Sequence, residues 1–197
     1  MANYLPVVGA IAENGGIFLQ AYGQQDLLTA ILNIPKHRIL LENTFHHIKQ
    51  LFPNLQASSD NQFRITDSTF DVDDLSTDDL EAISLQCQQM GWSFTYSNVQ
   101  GHIKPPHQDK ATGLLSVLSN HFPALNSQQV LTIGDSPNDE AMFNPELFPI
   151  SVGVANILHY QDKMLHLPQY VTHESEFAGF QELALLLHQN CVTDDTM

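Results

Sequence analysis

The sequence predicts an α/β protein: a doubly wound parallel sheet carrying a smaller inserted α/β lobe. Three observations lead there. After Pro105-Pro106, short apolar runs alternate with helical patterns in the βαβ manner, whereas residues from about 35 to 104 mix helices with half-buried strands. A length of 197 residues suffices for one core of ~100–150 residues and an appended lobe. The expected organisation is a core of 1–34 and 105–190, an insertion of 35–104 and a frayed tail of 191–197.

Residues 5–12 form an apolar run too short for a helix, Glu13-Asn14-Gly15-Gly16 interrupts it, and Ile17-Phe18-Leu19 resumes it. This reads as strand, tight turn, strand, because Asn14-Gly15 tolerates the positive φ of a primed turn. A short helix is expected over 26–32, stopped near Pro35, and another over 44–51, stopped at Pro53. Phe63, Ile65, Phe70 and Val72 keep the period of a half-buried strand over 63–72. Ser76 and Asp79 suit the start of the next helix as a capping box; Leu80, Ile83, Cys87 and Met90 form its apolar stripe, and Gly91 closes it. Trp92, Phe94 and Tyr96 alternate with polar residues, and His102-Ile103-Lys104 leads into the stiff prolines, so a strand pair ends the insertion. Beyond it come a helix over 109–121, a buried strand over 130–133, a helix starting over 140–143, strands over 150–154 and 170–172, and a last helix over 176–188.

Seven basic against 22 acidic side chains give a net charge of −15, which leaves no basic stripe for phosphates along a duplex or a membrane. Nucleic acid and anionic lipid are therefore not expected partners, and an anionic small substrate needs a cation or local dipoles. No apolar run approaches the ~18–20 residues of a membrane span, and Met1-Ala2-Asn3-Tyr4 lacks the basic start of a signal peptide, so a cytoplasmic protein is expected. Cys87 and Cys191 lie far apart and outside any CxxC pair, which suits a reducing compartment. The ten histidines, His46-His47 included, show no metal-binding spacing.

The sharpest chemical signal is the run from Val130 to Asp139, an apolar strand that ends in Gly134-Asp135-Ser136-Pro137-Asn138-Asp139. Ligands of open α/β sheets bind at the carboxyl ends of strands, and there Asp135, Asp139 and Asn138 would offer hard oxygen donors suited to Mg²⁺. An ordinary Asp/Ser/Pro/Asn turn has the same composition. Lys110, at the head of a helix, can set a point charge against a phosphoryl group; a solvated helix lysine is the plainer use.

Taken in order, these segments resemble the haloacid dehalogenase superfamily, in its branch with an α/β cap that includes Cof-like and sucrose-phosphatase-like enzymes. Ala12-Glu13-Asn14-Gly15-Gly16 is similar to that branch's ENG segment, Asp109-Lys110 to its third motif, and Gly134 to Asp139 to its GDSxND fourth motif; Ser151 to Asn156, Tyr170-Val171-Thr172 and Gly179-Phe180 follow in register. The resemblance implies a Rossmann-like core with residues 35–104 as cap, and Mg²⁺-dependent hydrolysis of a small phosphorylated metabolite, a sugar phosphate, through an aspartyl-phosphate. It assigns Asp135 to Mg²⁺ with Asp139 and Asn138 in support, and Lys110 to charge neutralisation.

Arg64 and Lys104, among the few cations of the expected cap, are candidates for binding a sugar or a distal phosphate, and Asn14 and Thr172 for lining the cleft by the same resemblance. Trp92, Phe94 and Tyr96 suit either a cap core or an aromatic wall. The family's first motif, DxDGT, has no counterpart, since Asp71-Val72-Asp73-Asp74 lacks the Gly-Thr continuation and lies in the insertion. An N-terminally incomplete core with little hydrolase activity of its own is therefore expected: a truncated enzyme, a binding or regulatory module, or half of a split hydrolase whose missing segment or partner chain supplies the attacking aspartate.

Overall fold

A computed structural model describes residues 7–20, 23–97 and 99–191. The chain divides into two compact units, Met1–Ala124 and Leu125–Met197. In the first unit, β1 (Gly9–Ala12), β2 (Ile17–Gln20) and β3 (Gln25–Leu27) form an antiparallel sheet in that order. Ala12 faces Ile17, so the turn between β1 and β2 holds four residues, and its left-handed stretch begins one residue earlier than the Asn14-Gly15 pair: Glu13, Asn14 and Gly15 have φ of 53°, 51° and 91°. For a residue such as glutamate that conformation costs about 1–2 kcal/mol.

The expected helix over 26–32 is instead strand β3 and a bend, because Gln25–Leu27 pairs along β2 and Leu28 N–H bonds to Gly16 O at 2.9 Å. A helix of so few residues has too little nucleation free energy to compete with a sheet edge. Pro35 starts the next helix rather than stopping one. In α1 (Ile34–Leu51) it occupies the first turn, where its missing N–H is not needed, and the Asn33 side chain accepts from Lys36 N–H at 2.9 Å. Leu41, Thr44, Phe45 and Ile48, spaced along one face of α1, are buried.

The first unit continues with β4 (Ser68–Asp71), α2 (Thr77–Gln89), β5 (Ser93–Tyr96) and β6 (Gln100–Lys104), the strands antiparallel in the order β4-β6-β5. The strand expected over 63–72 shrinks to β4: residues Asn61–Phe63 make a 3-10 turn, whose Asn61 side chain accepts Thr69 N–H at 2.7 Å and donates to Thr69 O at 2.6 Å. The Ser76–Asp79 capping box forms as expected. Phe70 lies fully buried at the centre, with ring centroids 5.9 Å from Phe45 and 5.8 Å from Phe94, among Ile48, Ile83, Cys87 and Ile103. Phe94 thus packs against the core, while Trp92 meets His37 edge-on at 5.3 Å. Helix α3 (Lys110–His121), capped by Asp109 through Thr112 N–H at 2.8 Å, ends the unit.

In the second unit, β7 (Leu131–Gly134), β8 (Ile150–Gly153) and β9 (Tyr170–Val171) form a parallel sheet in that order. The helix expected from 140 begins earlier and is a 3-10 helix, Pro137–Phe143, since Pro137 presets its first turn and Asp139 N–H closes on Ser136 O at 2.9 Å. A second 3-10 segment, Ala155–Lys163, was not expected, and α4 (Glu176–Cys191) runs three residues beyond the helix expected there. Phe143, Phe148 and Ile157 are fully buried in the second unit, and Leu183 of α4 is buried as well. The chain is therefore α/β with a parallel sheet and helices, as expected. Of the expected tail, 192–197 lie outside the described residues, as do 5 and 6 of the first run. No described helix is long and apolar enough to cross a membrane.

Two outcomes follow from this packing. Phe70→Ala should destabilise the first unit by about 3–5 kcal/mol in urea denaturation, while Phe63→Ala, at an exposed position, should change it little. Burial pushes the Cys87 thiol up to about 12, so iodoacetamide should label it at neutral pH only once the protein is unfolded, read by peptide mass.

Candidate active site

Strand β7 delivers the chemistry-bearing loop at its carboxyl end, and the loop folds on its own carboxylate. Asp139, 4% exposed, accepts Asp135 N–H on Oδ2 at 2.9 Å. This needs a glycine before Asp135, because a Cβ on Gly134 would stand 2.4 Å from Asp139 Cβ. The Asp135 carbonyl accepts from Asn156 Nδ2 at 3.2 Å, and Asn156 Oδ1 in turn accepts Glu176 N–H at 3.0 Å, so the loop is tied to the start of α4. Ser136 donates to Asn138 Oδ1 at 2.9 Å. Both peptide groups of Asp135 are thus held, while its carboxylate, partly exposed, takes no hydrogen bond among the described residues.

Mg²⁺ prefers oxygen donors and keeps several waters, and this loop offers oxygens alone: the Asp135 carboxylate, the Asn138 amide oxygen and Asp139. That donor set fits the ion. No group of three or more His, Cys, Asp or Glu side chains that could hold a metal by themselves occurs among the described residues. Thr172, also in the second unit, follows β9; its N–H bonds to Gly153 O at 3.0 Å and its hydroxyl donates to Glu174 O at 2.7 Å.

Four other candidates lie in the first unit. Asn14, Arg64 and Lys104 converge on one buried carboxylate that sequence reasoning passed over, Asp67. Arg64 Nη1 donates to both Asp67 oxygens at 2.9 and 3.1 Å, and its remaining nitrogens reach Asp60 Oδ2 at 2.9 and 3.0 Å. Asn14 Nδ2 lies 3.5 Å from Asp67 Oδ2, and His102 Nδ1–H donates to the same oxygen at 3.2 Å. Lys104 is buried beside them and donates to Gln108 O. Lys110 opens α3, and the turn carrying Asn14 rests on that helix start: a Cβ on Gly15 would stand 2.0 Å from Asp109 O and 3.3 Å from Lys110 N. Both arginines of the chain, Arg38 and Arg64, also line a cavity of about 640 Å³ between α1 and residues 57–68.

The electrostatics follow from burial. Desolvation alone would raise the Asp67 carboxyl, but the His102 hydrogen bond and the Arg64 charge outweigh it and hold the group below its ordinary value. Burial pulls the Lys104 ammonium down, opposed by Asp109 and Asp67. His102 and Gln108 carry no sequence signal of their own, being single polar residues whose side-chain partners are distant in the chain; Asp67 lies three residues from Arg64, and Glu13 belongs to the segment similar to ENG. Asn156 had one: it follows a strand at the end of the sheet that bears Asp135.

Because the folded-state pKa of Asp67 lies below its unfolded value of about 3.9, its contribution is present above that value and disappears as pH falls through the folded pKa. Asp67→Asn should cost on the order of 3 kcal/mol near neutral pH by stranding Arg64. The gap between variant and wild type in urea titrations should narrow below pH ~4.

A model of the haloacid dehalogenase-like hydrolase family matches residues 10–164. A search of curated proteins found no match. Among solved structures, the chain is similar to Thermoplasma acidophilum 0175 (21% identity, TM-score 0.61, covering 87% of this chain and 68% of that one). It is also similar to the sucrose-phosphatase from Synechocystis sp. PCC6803, solved with sucrose and phosphate (15%, 0.59, 91% and 73%). A third is the HAD subclass IIB sugar phosphatase BT4131 (11%, 0.59, 84% and 70%). With most of its length matched by the family model and the fold shared with these structures, the chain belongs to the haloacid dehalogenase-like hydrolases.

Proposed function

We propose that this chain binds a small phosphorylated metabolite of the sugar-phosphate kind together with Mg²⁺, and supplies part of the machinery of a phosphomonoester hydrolase. One observation carries the reading: the loop after β7, in which Asp139 closes on the Asp135 N–H and leaves the Asp135 carboxylate available at the end of a parallel strand. The names of the structural neighbours, a sucrose-phosphatase and a sugar phosphatase, support the substrate class.

Asp135, Asn138 and Asp139 would hold Mg²⁺, which when bound neutralises phosphate charge and orients the ester. Asp139 keeps the loop closed, so that Asp135 is presented without paying for loop ordering at the moment of binding. Lys110, at a helix start, sets a positive charge against the phosphoryl oxygens. The resemblance assigns Asn14, in the first unit, and Thr172, in the second, to substrate contacts, and Arg64 and Lys104 recognise the sugar side through the cluster around Asp67. Residues 35–104 serve as the cap and 1–34 with 105–190 as the core. The resemblance assigns attack on phosphorus to an aspartate of a DxDGT string, which the 197 residues do not contain, so the chain by itself binds the ester without releasing phosphate.

A second reading, half of a split hydrolase, is favoured by one feature of the second unit. Among the described residues β7 has no strand on its outer edge, and Phe177, Phe180 and Leu187 form an exposed apolar stripe on α4. A further polypeptide segment that pairs along β7 would cover that edge and bring a carboxylate beside Asp135.

Calorimetric titration should show glucose 6-phosphate binding that depends on Mg²⁺ and weakens more than about tenfold in Asp135→Ala. Unchanged Mg²⁺ affinity in that variant sinks the metal assignment. Mg²⁺-dependent release of phosphate from p-nitrophenyl phosphate by this chain would overturn its catalytic incompleteness; release only when a DxDGT-bearing segment is co-expressed would select the second reading.

A further inference from the structure

We infer that Glu13 is a positioning residue that locks the cap segment 64–67, the Asn14 side chain and the first turn of α3, with Lys110, into one register; the inference rests on the roles proposed above for Asn14 and Lys110. The Glu13 carboxylate is filled by the cap. Ile65 N–H sits 3.1 Å from both of its oxygens, and Thr66 donates to Oε2 from its N–H at 2.6 Å and from its hydroxyl at 2.7 Å. Three donors converge on a group that only accepts, so glutamate matches the position and no amide does so fully.

The same residue is held from the opposite side of the insertion. Gln108, 2% exposed on the return segment before α3, donates one Nε2 hydrogen to Glu13 O at 2.6 Å and the other to Thr66 Oγ1 at 3.1 Å, while its Oε1 accepts the Thr29 hydroxyl at 2.8 Å. Every side-chain polar atom of Glu13, Thr29, Thr66 and Gln108 has a partner, and the knot joins both stretches through which the chain enters and leaves residues 35–104. His37 Nε2–H adds a bond to Thr66 O at 3.0 Å.

Two features show why this matters beyond anchoring. Glu13 keeps the left-handed φ of 53° that is unusual for its side chain, next to Asn14 and Gly15 in the same region, so the bonds from the cap hold a strained turn. The far face of that turn is seated on α3 with no intervening side chain, since a Cβ on Gly113 would stand 2.6 Å from Gly15 Cα. A shift of Glu13 therefore moves Asn14 against Asp67 and Gly15 against Asp109 and Lys110 together.

The test uses the ¹⁵N-labelled full chain with Glu13→Ala, Glu13→Gln and Thr66→Val. Glu13→Ala should speed hydrogen exchange at Ile65 and Thr66 by at least about tenfold. It should also shift the Asn14 side-chain amide and the backbone amides of 110–113, leaving α2 and β5 unmoved. Glu13→Gln, which keeps one acceptor oxygen, should restore part of both effects, and should weaken glucose 6-phosphate binding without changing Mg²⁺ affinity. Changes confined to 64–67, or unaltered exchange at Thr66, would overturn the inference. Thr66→Val keeps the buried volume and removes one of the donors; it should give the same pattern more weakly and decides the matter if Glu13→Ala does not fold. Exchange and shifts need neither phosphate nor Mg²⁺, so they stay readable if the proposed ligand does not bind.

Discussion

A carboxylate removed from water has to be met by charge or by hydrogen-bond donors, and in the first unit that requirement organises the whole region around Asp67. Arg64, His102 and Asn14 come from a loop, strand β6 and the β1–β2 turn, and the only common feature of their positions is reach to that side chain. Arg64 is the cation that makes burial tolerable, and Asp60 uses its remaining donors. With so few basic residues in the chain, committing one arginine to a structural partner is a substantial allocation, and it places Arg64 and Lys104 in a cluster that holds its own geometry.

The second unit applies the same physics to a shorter stretch. As Asp67 gathers side-chain donors in the first unit, Asp139 accepts the Asp135 N–H and so decides where a neighbouring carboxylate stands. Asn156 extends that support to α4. The acidity of the chain is therefore not spread evenly over solvent-facing charges; several of its carboxylates hold backbone in place, Glu13, Asp109 and Asp139 among them.

Local patterns read correctly where a single element decides the outcome. The Ser76–Asp79 capping box, the Ile83 and Cys87 stripe, the start of α3 at Asp109-Lys110 and the strand into Gly134-Asp135 depend on neighbours within one or two turns of the chain. Pro35 misled because proline both ends and begins helices, and the choice depended on Asn33 as a cap. The short helical pattern after residue 26 yielded to β2, whose free edge offered hydrogen bonds that seven residues of helix cannot match. Over 63–72, hydrophobic alternation suggested one strand, but Asn61 bonding to Thr69 folds the first half back as a loop.

For this protein the sequence alone determined the family-like order of segments, the α/β class and the oxygen-rich loop at the end of β7, because each is written in contiguous residues with a local physical rule behind it. Only tertiary structure decided that Glu13, Thr66 and Gln108 meet, that Asn14, Arg64 and Lys104 gather about Asp67, and that Gly15 rests on Gly113. Apart from the Arg64–Asp67 pair, three residues apart, those contacts join residues between roughly forty and a hundred positions apart, and the burial that gives them their strength exists only once the chain has closed around them.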